Sequence, residues 1–164
     1  MATPRRILGI DPGLAITGYG VIEVTTQVTI REAGIIRTAD DDATDMATKV
    51  LSVYNGVTEI IAQFAPEAMA VEQLYAHYDH PRTAILMGHA RGVIFLAAAR
   101  AKIPVISYAS TQVKKIITGN GRASKEQVQR TIQGELGLAQ LPEPPDVADA
   151  IAVALCHYYL NRNP

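Results

Sequence analysis

The amino-acid sequence predicts one α/β domain over residues 1–164: a mixed five-stranded sheet, three antiparallel strands followed by parallel ones, flanked by helices. Two observations carry this. Strand patterns and helix patterns follow one another as three strands, helix, strand, helix, strand and further helices, an order that suits a layered sheet covered by helices. The length of 164 residues, with 48% apolar and 19% charged residues, fits a single soluble core and is short for two lobes around a cleft.

RRILGID reads as a buried strand, and TGYGVIEV and VTIREAGIIRT as β-rich segments punctuated by Gly18, Gly20 and Gly34, together an antiparallel meander. From Asp45, the residues Met46, Val50, Val53, Val57, Ile60, Ile61 and Phe64 recur at helical spacing and stop before Pro66, which predicts an amphipathic helix. EAMAVEQ returns to a strand, a second helix is expected from near Thr83 to Lys102, and PVISY gives the last strand. TQVKKIITG reads as a helix ended by Gly119. The basic, glycine-containing GNGRASK is expected to be a mobile loop before a helix capped by Ser124. The prolines of LPEPP bar a continuing helix, and DVADAIAVALCHYYL then begins one with acids in its first turn, where the helix dipole favours them.

The net charge of -1 does not advertise a polyanionic partner, but the bases are unevenly placed. Arg82, Arg91, Arg100, Lys102, Lys114, Lys115, Arg122, Lys125 and Arg130 share a window with a single acid, Glu126. A phosphate backbone can use such an excess if the bases share a face. The lone Cys156 lies in an apolar helical pattern and is read as core. His89 and His157 are likewise assigned to packing or backbone hydrogen bonding, and His77 and His80 to a loop. The run ILGI after MATPRR is too short for a signal-peptide core, and VIFLAAA is too short to cross a bilayer, so no membrane association and a cytoplasmic location are expected.

Four carboxylates interrupt the most apolar stretches. Asp11 closes ILGID, Glu72 closes AMAVE, and Asp146 and Asp149 open DVADAIAVAL. An ionised carboxylate in apolar surroundings is costly unless paired or bound to metal. Asp11 before Pro12-Gly13 also suits a turn, and Asp146 a helix cap, but Asp149 and Glu72 have no local partner. The aspartates are three apart and so lie on one face of their helix, where like charges repel unless a cation lies between them. Hard oxygen donors suit Mg²⁺ or Mn²⁺, and the lack of a Cys and His ligand set argues against zinc. The residues alone therefore reach metal-dependent hydrolysis, with a nuclease as the leading reading.

GIDPGLAITGYGVIE, AVEQLY, QVKKIITGNGRASKEQVQ and DVADAIAVALCH, taken in this order and spacing, closely resemble the RuvC Holliday-junction resolvases of bacteria. The resemblance covers nearly the whole chain. It implies a ribonuclease H-like fold, a homodimer, paired nicks in opposed strands of a four-way DNA junction during recombination and repair, and a branch-migration motor as partner. Asp11, Glu72, Asp146 and Asp149 match the family's four metal-binding acids. Some relatives carry His where this chain has Asp146. Tyr75 falls where the family places a base-stacking aromatic, and Lys114 and Lys125 fall on its active-site and DNA-contacting lysines.

These assignments suit the chemistry. Phosphodiester hydrolysis needs an activated water, an in-line approach and charge stabilisation, which two ions about 3.5–4 Å apart supply. Asp11 is expected to bridge two Mg²⁺ or Mn²⁺ ions, with the other acids completing their shells and Lys114 neutralising the attacked phosphate. Tyr75, with Tyr78 nearby, is expected to stack on unpaired bases, at about 1–3 kcal/mol per base. Arg82, Lys115, Arg122 and Lys125 are the remaining DNA-contact candidates. Ala84, Gly88 and Gly92 repeat every fourth residue, a face open to close approach by the chain's own sheet or by a second subunit.

Three rivals are weighed against this reading. An ATPase of the actin and sugar-kinase type shares the GIDPGLAITG pattern but needs two lobes and a second phosphate motif. A junction-binding module that does not cut is disfavoured by four intact acids. A nuclease for RNA–DNA hybrids would use the same metal chemistry, so the acids alone do not separate it from a junction resolvase.

Overall fold

The computed structural model describes residues 3–39, 43–74 and 80–162. Its sheet has the order β3-β2-β1-β4-β5. β1 (Arg5–Asp11), β2 (Ile16–Val24) and β3 (Val28–Arg37) form the antiparallel meander. β4 (Ala68–Glu72) and β5 (Val105–Tyr108) add in parallel to β1. Parallel strands need crossovers, and α1 (Met46–Phe64) and α2 (Pro81–Arg100) supply them. α3 (Ser110–Thr118), α4 (Lys125–Leu136) and α5 (Pro145–Asn161) follow.

Alternation along the strands sends side chains to two separate cores. Leu8, Ile10, Val21, Met69 and Val71 pack against α1 and α2, whereas Ile7, Ile22, Ala70 and Tyr108 pack against α3, α4 and α5. α5 is apolar nearly all round and runs buried from Ala150 to His157, as a central helix must be.

What lets α5 sit so close to the sheet is the absence of side chains beneath it. A Cβ on Gly9 would overlap the Ala150 carbonyl and stand 2.9 Å from the Ala154 Cβ; one on Gly18 would overlap the Asp146 carbonyl; one on Gly20 would meet the Ile151 side chain at 2.8 Å. Gly18 and Gly20 thus lie inside β2, within the β-rich segment read from the sequence, and form a groove for α5.

Several local expectations hold. Asp45 caps α1 by accepting from the Thr48 N–H at 2.7 Å, and Gly119 closes α3 with φ 81°. Ser124 and Gln127 form a reciprocal capping box on α4. α2 begins at Pro81 and ends at Arg100, two residues earlier at each end than the pattern indicated, because Pro81 suits a first helical turn. The segment before Ser124, expected to be mobile, is tied down: the Arg122 N–H donates to Asn120 Oδ1 at 2.9 Å, and the Ala123 N–H donates to the Asn120 carbonyl at 3.0 Å. Cys156 is fully buried, and burial pushes its thiol up to about 11. His157 is buried with Nδ1 2.6 Å from the Tyr108 hydroxyl. His89, by contrast, is exposed on α2, so its assignment to packing is corrected. No helix among the described residues is long and apolar enough to cross a membrane.

Candidate active site

Parallel pairing aligns the C-terminal ends of β1 and β4. Their register sets Ile10 opposite Val71, so Asp11 and Glu72, the next residues, emerge side by side at the C-terminal ends of two interior strands. Such carboxyl ends are the usual site of chemistry in α/β folds. The turn after Asp11 is pinned by Thr17, whose hydroxyl donates to the Gly13 carbonyl at 2.6 Å, and by Thr38, which donates to the Leu14 carbonyl at 2.6 Å. Asp11 is therefore strand-borne, not a turn-former.

The glycine groove sets the second pair of acids. Gly18 is paired with Asp11 across the β1–β2 ladder and lies beneath the Asp146 backbone, so close approach of α5 delivers its first turn to the end of β1. Asp146 occupies the second position of α5, after Pro144 and Pro145, and the helix has no side-chain cap. Its side chain lines the same cavity as Asp11 and adds to the upward push on the Asp11 carboxyl, so it faces the other acids and does not cap the helix. Asp149 follows one turn later on the same face.

All four acids line one open cavity of about 510 Å³, together with Gln73, Ser110, Lys114 and Lys125. Burial, and then the charges of Asp149, Glu72 and Asp146, push Asp11 up to about 8. Glu72 is raised by burial and by Asp149, against the opposing pull of Lys114, Lys125 and Arg91. Asp149 is raised by burial, with Asp146 adding to the effect and Lys125 and Lys114 opposing it. The fold thus holds anionic groups together at an electrostatic cost that the two lysines relieve only in part.

The donor set fits a hard divalent cation: carboxylate oxygens, half-buried, with no thiol or imidazole among the cavity residues. Among the described residues, however, no three His, Cys, Asp or Glu side chains are gathered as a finished metal cage. The four predicted ligands share one cavity without closing on a common point.

The other sequence candidates divide. Lys114, half-buried on α3, and Lys125, at the start of α4, reach the carboxylate cavity. Lys115 is exposed and lines a separate groove with Thr111, Gln112, Ile116 and Gly121. Arg82 and Arg122 are exposed on α2 and before α4. The basic window therefore does not form one face, and Arg130 pairs with Glu126 at 2.7 Å. Tyr75 and Tyr78, with His77, lie outside the described residues. Sequence reasoning missed Gln73 and Ser110 on the cavity wall, and Arg91, whose guanidinium donates to the Glu72 carbonyl. Arg91 stands just before the apolar run GVIFLAAA, where a cation needs a partner; that was the one signal available.

The family model for crossover junction endodeoxyribonuclease RuvC matches residues 7–157. The chain belongs to the RuvC family of crossover junction endodeoxyribonucleases. RuvC of Rhodopirellula baltica is 52% identical over 159 residues, covering 96% of this chain and 88% of that one. RuvC of Yersinia enterocolitica is 44% identical over 160 residues, covering 96% and 88%. Among solved structures, Thermus thermophilus RuvC in complex with a Holliday junction substrate superposes with a TM-score of 0.90 at 34% identity, covering 96% of this chain and 95% of that chain. The yeast mitochondrial Holliday junction resolvase Ydc2, with a TM-score of 0.67 and 14% identity over 93% and 77% of the two chains, shares the fold. The ribonuclease H-like architecture inferred from the RuvC resemblance is thus the one observed.

Proposed function

We propose that this RuvC-family endodeoxyribonuclease resolves four-way DNA junctions by paired, metal-dependent nicks, using Asp11, Glu72, Asp146 and Asp149 to hold Mg²⁺ or Mn²⁺. The observation that carries it is the convergence of four carboxylates from β1, β4 and α5 in one cavity flanked by Lys114 and Lys125. Bound divalent cations would supply water activation and charge stabilisation for phosphodiester hydrolysis. Lys114 and Lys125 are placed to draw the scissile phosphate to the acids, which would otherwise repel it, and Lys114 to neutralise charge developing on it. Val113, Val128 and Val153 line the same cavity beside the charged groups. Tyr75 and Tyr78 are proposed to stack on junction bases, with Arg82, Lys115 and Arg122 contacting backbone phosphates outside the cavity.

The junction, rather than an RNA–DNA hybrid, is favoured by the likeness to the Thermus protein bound to a Holliday junction. A homodimer is favoured by α2. Gly88 and Gly92 face open space rather than the chain's own sheet, and Ile85 and Leu96, 61% and 50% exposed, lie on the same stripe. An apolar, glycine-lined stripe of this kind suits the same helix of a second copy across a two-fold axis, as paired nicks require. A branch-migration motor is the remaining proposed partner.

Incubating the protein with a synthetic four-way junction, a linear duplex and an RNA–DNA hybrid, with Mg²⁺ or with EDTA, tests this reading. Symmetric nicks in the junction alone, and only with metal, are expected. Cleavage of the hybrid in preference to the junction, or cutting in EDTA, would overturn it.

A further inference from the structure

Behind the carboxylate cavity, on the face covered by α1 and α2, the end of β4 has a backbone problem. The Met69 and Gln73 N–H groups donate to the Pro104 and Tyr108 carbonyls of the β5 side, at 2.9 and 2.8 Å. In a parallel ladder successive residues bond to alternate sides, so the Glu72 carbonyl points towards β1. The donor opposite it, by the register that pairs Ile10 with Val71, belongs to residue 12. Residue 12 is proline and has no N–H. The ladder therefore leaves the carbonyl of a catalytic acid without a backbone partner in a half-buried place, where an unmet acceptor is costly.

Arg91 of α2 fills the gap. One guanidinium nitrogen donates to the Glu72 carbonyl and the other to Ser107 Oγ of β5 at 3.0 Å, with the guanidinium lying 4.7 Å over the Phe95 ring. Arg91 also shares a second, smaller cavity of about 80 Å³ with Asp11, Pro12, Glu72 and Met87. A planar fork held by two acceptors and a ring is far more rigid than a single ammonium contact.

We propose that Arg91 is a positioning residue for Glu72: it supplies the donor that Pro12 lacks, clamps the end of β4 to β5, and so keeps the Glu72 carboxylate aimed at the metal site. This rests on the metal-nuclease reading above. Partners that orient ligands typically change metal affinity about 10- to 100-fold when removed. Arg91→Gln is therefore expected to weaken Mn²⁺ binding by about that factor, while junction binding in EDTA stays within about twofold of wild type.

The test is a Mn²⁺ titration of the full chain without DNA, followed by electron paramagnetic resonance of free Mn²⁺, with thermal melts and junction binding in EDTA alongside. Arg91→Lys, which keeps the charge but loses the fork, and Ser107→Ala, which removes one anchor, are expected to fall between wild type and Arg91→Gln. A merely structural role would lower the melting temperature and leave Mn²⁺ affinity unchanged in the folded fraction, which would overturn the assignment. If Arg91→Gln does not fold, wild-type Mn²⁺ affinity in both milder variants would overturn it equally. A wild-type protein that binds no Mn²⁺ would instead overturn the metal reading, and the assignment with it.

Discussion

Asp11 offers the sharpest handle on the electrostatics. Its carboxyl ionises near 3.8 when unperturbed and near 8 in the folded protein, raised first by burial and then by three neighbouring acids. Between those values the folded state keeps a proton that the unfolded chain has lost, so stability falls as pH rises from about 4 to about 8. At about 1.4 kcal/mol per pH unit the ceiling is roughly 5–6 kcal/mol; relaxation of the carboxylates and entry of water reduce it to about 2–4 kcal/mol. Asp11→Asn removes the charge and keeps the shape. In EDTA above pH 8 the variant should therefore melt about 4–16 °C higher than wild type, since 1 kcal/mol shifts a chain of this size by roughly 2–4 °C. The two proteins should converge near pH 4. Saturating Mg²⁺ should raise the wild-type melting temperature and leave the variant nearly unmoved, by mass action on the folded state. Parallel melting of the two proteins across pH 4 to 9 without metal would refute the view that Asp11 is held at electrostatic cost.

Three further outcomes follow. Gly9→Ala drives a Cβ into the Ala150 carbonyl, so it should cost about 1–3 kcal/mol in urea unfolding and reduce cleavage by displacing the α5 acids. Lys114→Met should slow single-turnover junction cleavage by roughly 10²-fold, as loss of one charge-stabilising donor does, with Mn²⁺ affinity little reduced. Gly88→Arg should halve the mass seen in sedimentation velocity by placing a charge on the apolar stripe, while the helix itself gains about 1 kcal/mol.

Local periodicity and chain punctuation made most of the architecture readable. The 3.6-residue spacing from Met46 to Phe64 appears as α1, and the Ser124 cap appears where the loop chemistry placed it. The acids were readable because a charge inside AMAVE or VADAIAV has no local explanation. What stayed hidden is relational. Gly18 and Gly20 read along the chain only as glycines in a β-rich segment, and the docking of α5 is what makes them the groove that brings Asp146 to Asp11. Arg91 could not be tied to Glu72, because its partner is a backbone carbonyl opposite Pro12, the residue that follows β1 and has no N–H to offer. Nor could a list of basic residues show that Lys114 and Lys125 face the acids while Lys115 faces another groove.

Whether these four carboxylates form the metal site of a nuclease is decided by soaking Mn²⁺ into crystals and locating it by anomalous scattering. Peaks among Asp11, Glu72, Asp146 and Asp149, lost in Asp11→Asn, are the result expected. Mn²⁺ bound elsewhere, with these side chains unmoved and unliganded, would contradict the account.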